Sequence, residues 1–91
     1  MATDVVVLAQ RDCALCDQAK NVLGRIAEDV PLSITEIALD SLDGRRIAAD
    51  AGVMFPPGIV VDGMPFSYGR LSERKLRREL RRRSVQAGAA R

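Results

Sequence analysis

The sequence contains no histidine and no tryptophan, and its aromatic residues are limited to Phe55, Phe66 and Tyr68. Histidine is the usual general base near neutral pH and the commonest metal ligand. Its absence excludes catalysis by a Ser–His or Cys–His pair within the chain. The only two cysteines fall short of the four ligands of a structural zinc site, so we expect no metal unless two chains pool their thiolates.

The sequence also lacks a long apolar segment. No stretch approaches the roughly 20 apolar residues that cross a bilayer, and the residues before the first apolar run lack the basic segment that opens a secretory signal peptide. We therefore expect a cytoplasmic protein with no membrane partner. In that reducing compartment, two closely spaced cysteines are more typical of redox chemistry than of a structural disulfide.

Charge is unevenly distributed along the chain. The formal net charge of +2 divides into −5 for residues 1–69 and +7 for residues 70–91. The basic segment 70–83 lacks interleaved aromatic residues, which favours the solvated face of a helix over a nucleic-acid site. Steering of an acidic partner protein is the alternative, and we do not expect nucleic acid as a partner.

Apolar periodicity and turn residues predict seven elements in the order βαβαββα. They are a strand at 3–9, a helix at 14–28, a strand at 32–37, a helix at 41–51, strands at 59–61 and 65–68, and a helix at 72–82. Gly52 suits the C-terminal cap of the second helix, and Asp62-Gly63 is a hairpin turn. The pattern predicts one α/β domain over residues 1–84, with a mixed four-stranded sheet, followed by a flexible tail over 85–91.

Cys13-Ala14-Leu15-Cys16 joins the first strand to the first helix. Two thiols at this spacing can cycle between dithiol and disulfide. The backbone N–H groups and dipole at a helix N-terminus stabilise a thiolate there. The apolar stripe of the helix places Cys16 on the buried face and leaves Cys13 at the exposed tip. The alternative is an inert, buried Cys16 beside an incidental Cys13.

Charged neighbours act on Cys13 in opposite directions. Arg11 either adds positive potential near Cys13 or is an ordinary solvated loop residue. Asp12 and Asp17 disfavour a thiolate because their carboxylates repel it.

The Cys13-Ala14-Leu15-Cys16 motif, together with Pro57-Gly58-Ile59-Val60-Val61-Asp62-Gly63, resembles the thioredoxin superfamily, and within it the small glutaredoxin-like proteins. The resemblance implies a three-layer thioredoxin-like fold with helices on both faces of the sheet. It also implies a thiol–disulfide oxidoreductase in which Cys13 attacks a substrate disulfide and Cys16 resolves the mixed disulfide. Pro57 would then follow a cis bond and face the thiols, with the Pro56 carbonyl presented to substrate; a stiff trans loop is the alternative.

The chain departs from the family pattern at several positions. It has no proline between the cysteines, no tryptophan before them and no carboxylate within the first apolar run. In glutaredoxins a Gly-Gly-acid segment meets glutathione, but Tyr68-Gly69-Arg70-Leu71-Ser72 keeps one glycine and no acid. Gly69 and Ser72 remain the candidates for substrate binding, and Ser72 also suits a helix N-cap.

The partners follow from the same resemblance. We expect a monomer without a bound cofactor beyond its own redox-active disulfide. The substrate would be a disulfide-containing protein or a low-molecular-weight thiol such as glutathione, and a reductase or thiol would donate electrons. The competing hypothesis is a thioredoxin-fold sensor or interaction module whose thiols oxidise without turnover.

Overall fold

The computed structural model describes residues 2–89, with side chains described through Ser84. Its elements are β1 (Thr3–Ala9), α1 (Ala14–Ala27), β2 (Leu32–Ala38), α2 (Leu42–Ala51), β3 (Gly58–Val61), β4 (Met64–Tyr68) and α3 (Glu73–Ala89). The predicted order βαβαββα is confirmed. Among the described residues, no helix is long and apolar enough to cross a bilayer.

The four strands form one mixed sheet in the order β2-β1-β3-β4. β1 pairs in parallel with β2 and antiparallel with β3, and β3 pairs antiparallel with β4. The central position of β1 explains its continuous apolar run, because a strand with neighbours on both sides and helices on both faces meets little water. Asp62 and Gly63 have φ of 49° and 79°, as a type I′ hairpin turn requires.

Helices cover both faces of the sheet. α1 and α3 pack on one face, and the core between them is entirely apolar. Its members are Val5, Val7, Ala9, Cys16, Ala19, Val22, Leu23, Ile26, Ile59, Val61, Leu71, Leu76 and Leu80. α2 lies on the other face, where Ile47 and Ala51 line a cavity with Val6 and Val60. The helix ends at Gly52, whose φ of 70° is left-handed, so this predicted cap is confirmed.

The prediction for the last helix was wrong at its C-terminal end. α3 continues to Ala89, whereas the apolar anchors Leu71, Leu76 and Leu80 predicted an end near Arg82. The backbone is therefore helical well into the segment 85–91 that the sequence predicts as a tail, since the alanine and glutamine residues of that segment favour helix. Residues 90 and 91 of that segment lie outside the described residues.

Polar contacts join α1 to the start of α3. The Gln18 side-chain amide donates to the Leu71 carbonyl at 2.9 Å and accepts from the Leu71 N–H at 3.0 Å. Glu73 accepts from Arg25 at 2.9 Å and from Arg77 at 3.0 Å. These contacts fix the loop after β4 against the helix that begins at the cysteine motif.

Replacing Glu73 with glutamine should make the protein less stable near neutral pH but not in acid. Hydrogen bonds from Arg25 and then Arg77 lower the pKa of Glu73 below its ordinary value of 4.5. A carboxylate with a lowered pKa stabilises the fold above its unfolded-state pKa, and this contribution is lost as the pH falls through the folded-state value. We expect Glu73→Gln to lower the melting temperature at about pH 7, with the difference from wild type shrinking towards about pH 3.

Glu28→Gln is the matched control for this measurement. Glu28 is exposed at the end of α1 and forms no ion pair among the described residues. Melting curves of the three proteins across the acid range test the prediction. A Glu73→Gln deficit that stays constant with pH would show that the side chain acts through packing and not through its charge.

Candidate functional site

Cys13 and Cys16 are joined as a disulfide at the N-terminus of α1, with their Cα atoms 5.2 Å apart. Cys13 is the N-cap of the helix and has extended backbone geometry. Its sulfur accepts from the Cys16 N–H at 3.1 Å. The same N–H also donates to the Cys13 carbonyl at 3.1 Å, so the sulfur shares a donor of the first helical turn with the backbone.

The two cysteines differ in their exposure. Cys16 is 1% exposed and belongs to the apolar core, as predicted. Cys13 is partly buried against that core and is less exposed than the predicted tip, because an N-cap side chain turns back over the first turn of its helix. Cys13 is therefore the more accessible of the two cysteines.

The groove on the β2 side of Cys13 is rich in carboxylates. It has a volume of about 1220 Å³, and its charged side chains are Arg11, Asp12, Asp17, Lys20, Glu36 and Asp40. Lys20 and Glu36 form an ion pair at 3.3 Å across it. Arg11 thus shares this flank with four carboxylates, and the local charge is negative despite its presence.

Asp12 adopts a left-handed conformation immediately before the first cysteine, with φ of 51°. Aspartate tolerates this region better than most residues, because its short side chain can form local hydrogen bonds. The turn at 11–12 directs the chain from β1 into α1 and leaves both Arg11 and Asp12 exposed.

The loop that contains Pro56 and Pro57, which we call the proline loop, lies at the same end of the sheet as the cysteine motif. Leu8 of β1 pairs with Gly58 of β3, and Gly58 pairs with Tyr68 of β4. Neighbouring strands lie about 4.8 Å apart. The loops attached to Leu8, Gly58 and Tyr68 therefore begin close together. The Pro56–Pro57 peptide bond is cis. Pro57 is buried, and Pro56 is half-buried.

Gly69 closes the loop on its other side. Its N–H donates to the Pro57 carbonyl at 2.8 Å, which brings together two of the predicted site residues. Its φ is 79°, and a Cβ built there would lie 2.7 Å from Cε2 of the Phe55 ring. Both the backbone conformation and the ring above it therefore favour glycine.

Ser72 acts as a helix cap. Its hydroxyl oxygen accepts from the Lys75 N–H at 3.2 Å. The residue also lines a pocket of about 330 Å³ with Gln18, Arg25 and Arg70. It follows Gly69 closely in the chain, on the α1–α3 side of the proline loop.

An exposed aromatic pair next to the proline loop was missed at the sequence level. Phe55 and Tyr68 pack edge to face, with ring centroids 5.0 Å apart. They are 52% and 42% exposed, and the neighbouring Met54 is 76% exposed. The available signal was that the sparse aromatic residues flank Pro56-Pro57 and Gly69, but sequence spacing alone does not show that they touch.

Comparison with known proteins supports the fold. No protein-family model matches the chain, and no curated protein matches it in sequence. Among solved structures, a mutant thioredoxin from Halobacterium salinarum is 22% identical, with a TM-score of 0.61 over 81% of this chain and 67% of that one. A thioredoxin from Thermus thermophilus is 20% identical, with a TM-score of 0.63 over 98% of this chain and 78% of that one. The chain has the thioredoxin fold.

Proposed function

We propose that this thioredoxin-fold chain is a thiol–disulfide oxidoreductase with Cys13 as nucleophile and Cys16 as resolving thiol. The observation that carries the proposal is the difference between the environments of the two sulfurs. They lie within bonding distance, yet one caps the helix at an accessible position and the other is 1% exposed. In this proposal the Cys13 sulfur meets the substrate disulfide. The Cys16 sulfur stays close enough to attack Cys13 afterwards.

The reaction begins from the dithiol. The Cys13 thiolate is stabilised by the Cys16 N–H and the positive end of the α1 dipole. It attacks one substrate sulfur, the substrate S–S bond breaks, and the departing thiolate takes up a proton. Cys16 then loses its proton and attacks the Cys13 sulfur, which releases the second substrate thiolate. The substrate gains two electrons and two protons, and the protein is left with the Cys13–Cys16 disulfide.

A substrate segment would bind across the proline loop. In this proposal the Pro56 carbonyl accepts a hydrogen bond from an extended substrate chain, and Pro57 packs against the thiols without offering a backbone donor to the sulfurs. Gly69 keeps the loop in place through its bond to Pro57. Arg11 and Ser72 would contact the ends of the substrate segment.

The exposed aromatic pair favours a protein disulfide as substrate. An apolar surface of Met54, Phe55 and Tyr68 suits the side chains that flank a disulfide in a polypeptide better than it suits a small charged thiol. Glutathione or another low-molecular-weight thiol would then serve as the electron donor, with a reductase as the alternative donor. Such chemistry belongs to a reducing compartment such as the cytoplasm.

Catalysed reduction of insulin by dithiothreitol tests the proposed function. We expect substoichiometric protein to increase the rate over dithiothreitol alone through many turnovers. A redox sensor would instead oxidise once per molecule and leave the rate unchanged. Repeating the assay with glutathione and with a thioredoxin reductase system as donors identifies the source of electrons.

Replacing Phe55 with alanine should weaken binding of a protein substrate without slowing the thiol chemistry. Burial of the exposed half of the ring by substrate contributes about 1–1.5 kcal/mol, so we expect KM for insulin to rise about fivefold to tenfold. The rate with the small, uncharged hydroxyethyl disulfide should stay within about twofold, because that substrate has too little apolar surface to bury the ring.

Leu42→Ala is the matched control for Phe55→Ala. Leu42 is 73% exposed and begins α2, away from the proline loop. Equal effects of the two substitutions on KM, or a Phe55→Ala loss that is the same for both substrates, would show that the ring has no specific role in substrate binding.

A further inference from the structure

The cations of α3 divide into two sets. The first set is paired with acidic side chains: Arg77 contacts Glu73 and Asp29, both at 3.0 Å, and Arg83 contacts Glu79 at 2.7 Å. Arg82 also pairs with Glu79, so both acidic residues of the helix are engaged. The outward set consists of Arg74, Lys75, Arg78 and Arg81, all exposed and without an ion pair among the described residues. We call these four residues the outer cationic ridge.

The outer cationic ridge lies on the face of α3 opposite its buried side chains. The apolar side chains Leu76 and Leu80 are buried on the opposite face of the helix. The ridge residues recur at three- and four-residue intervals, so neighbouring like charges lie on one face. Like-charged pairs at these spacings destabilise a helix by about 0.2–0.5 kcal/mol each. The exposed like charges therefore form an unfavourable arrangement that an external anionic group would offset.

The ridge runs along α1 away from the cysteine motif: Glu73 at the start of α3 contacts Arg25, and Arg77 contacts Asp29 beyond the C-terminal end of α1. The ridge follows Ser72 and the exposed Arg70, which adjoin Gly69 and its bond to Pro57. The flank of the cysteine motif on the β2 side is the carboxylate-rich groove. The molecule thus carries a positive surface on α3 and a negative surface beside Cys13. An acidic molecule is attracted to the first and repelled by the second, so it would arrive in one orientation.

We propose that the outer cationic ridge docks an acidic protein, the partner with which Cys13 exchanges electrons; this inference rests on the proposed function. Guanidinium groups, which make up most of the ridge, bind carboxylates in a bidentate manner. The described part of α3 offers no aromatic side chain for base stacking. Its leucines are buried and cannot enter a lipid surface. From Arg74 to Arg81 the ridge spans about 10 Å, which matches a compact acidic patch better than a long duplex.

Two disulfide peptides test the inference in a kinetic assay. They share one cyclic disulfide sequence and differ in a flanking run of glutamates or of lysines. We expect the reduced wild-type protein to reduce the glutamate peptide about tenfold faster at about 10 mM salt, and this preference to fall to about twofold at about 0.5 M. Arg74→Gln/Arg78→Gln should lose most of the preference. The matched control, Arg45→Gln/Arg46→Gln, removes two exposed cations from α2 and should keep it.

A binding arm separates failure of the ridge from failure of the proposed function. The oxidised protein is titrated with a fluorescent glutamate peptide that lacks cysteine, and with a fluorescent DNA duplex. Tighter, salt-sensitive binding of the glutamate peptide that is weakened by Arg74→Gln/Arg78→Gln supports the ridge even if no disulfide is reduced. If the wild-type protein does not reduce hydroxyethyl disulfide, that result would overturn the proposed function instead. Equal rates for the two peptides, equal effects of the two double variants, or preferred binding of the duplex would overturn the inference.

Discussion

Cys13→Ser is expected to abolish catalysed disulfide reduction, with a loss of about 10³-fold or more, while Cys16→Ala is expected to stop the reaction halfway. The first substitution removes the more accessible of the two cysteine sulfurs. The second leaves Cys13 at the N-cap but removes the buried thiol that releases it from the substrate. Cys16→Ala should therefore accumulate a mixed disulfide with the substrate. Alanine is preferred to serine at this position because a buried, unpaired hydroxyl would destabilise the core.

Intact-mass spectrometry distinguishes the two variants. A Cys16→Ala sample mixed with a disulfide peptide should gain the mass of one half of the peptide, and dithiothreitol should remove it. Cys13→Ser should gain none at the same time point, because Cys16 is sealed in the core. Thermal melts of both variants exclude unfolding as the cause. An adduct on Cys16 in Cys13→Ser would show that Cys16 can act as the nucleophile. The absence of an adduct on Cys13 in Cys16→Ala would show that Cys13 is not the nucleophile.

Opposite stability changes are expected when alanine replaces two helical glycines. Alanine is normally the better helix former by about 0.5–1 kcal/mol. At Gly24 on α1 a Cβ would meet nothing within 4 Å, so Gly24→Ala should stabilise the protein by about that amount. At Gly44 on α2 a Cβ would collide with the Ala38 carbonyl oxygen and lie 3.0 Å from the Leu39 Cα. We expect Gly44→Ala to destabilise by about 2–3 kcal/mol, since backbone atoms cannot move aside as a side chain can.

Gly44 is surrounded by a tight polar turn. Its N–H donates to the Ser41 hydroxyl at 2.9 Å, and that hydroxyl donates to the Ala38 carbonyl at 2.6 Å. The collision would therefore disturb the cap that starts α2. Urea denaturation of wild type and the two variants measures both changes under the same conditions. Stabilisation by Gly44→Ala would mean that α2 sits farther from the end of β2 than the structure places it.

Local signals in the sequence were sufficient for the element order and for the position of the cysteine motif at the start of α1. Val5-Val6-Val7-Leu8 predicted a buried strand, and β1 is central in the sheet. Gly52 and Asp62-Gly63 predicted a helix cap and a hairpin turn, and their backbone angles agree. Each of these features depends on a few consecutive residues and on the intrinsic preferences of the backbone, which a sequence displays directly.

The contacts that complete the candidate site join residues far apart in the chain. The Gly69–Pro57 hydrogen bond, the Phe55–Tyr68 pair and the Gln18–Leu71 contacts all depend on how the sheet order folds the chain back on itself. The pairing of the α3 cations also depends on the tertiary structure. Arg77 is paired because the fold brings Asp29 beside it and beside Glu73. The sequence by itself determined that two thiols meet at a helix N-terminus, since that placement is local. Only the tertiary structure decided which surface surrounds them, because those contacts join residues that are distant in the sequence and close in the folded chain.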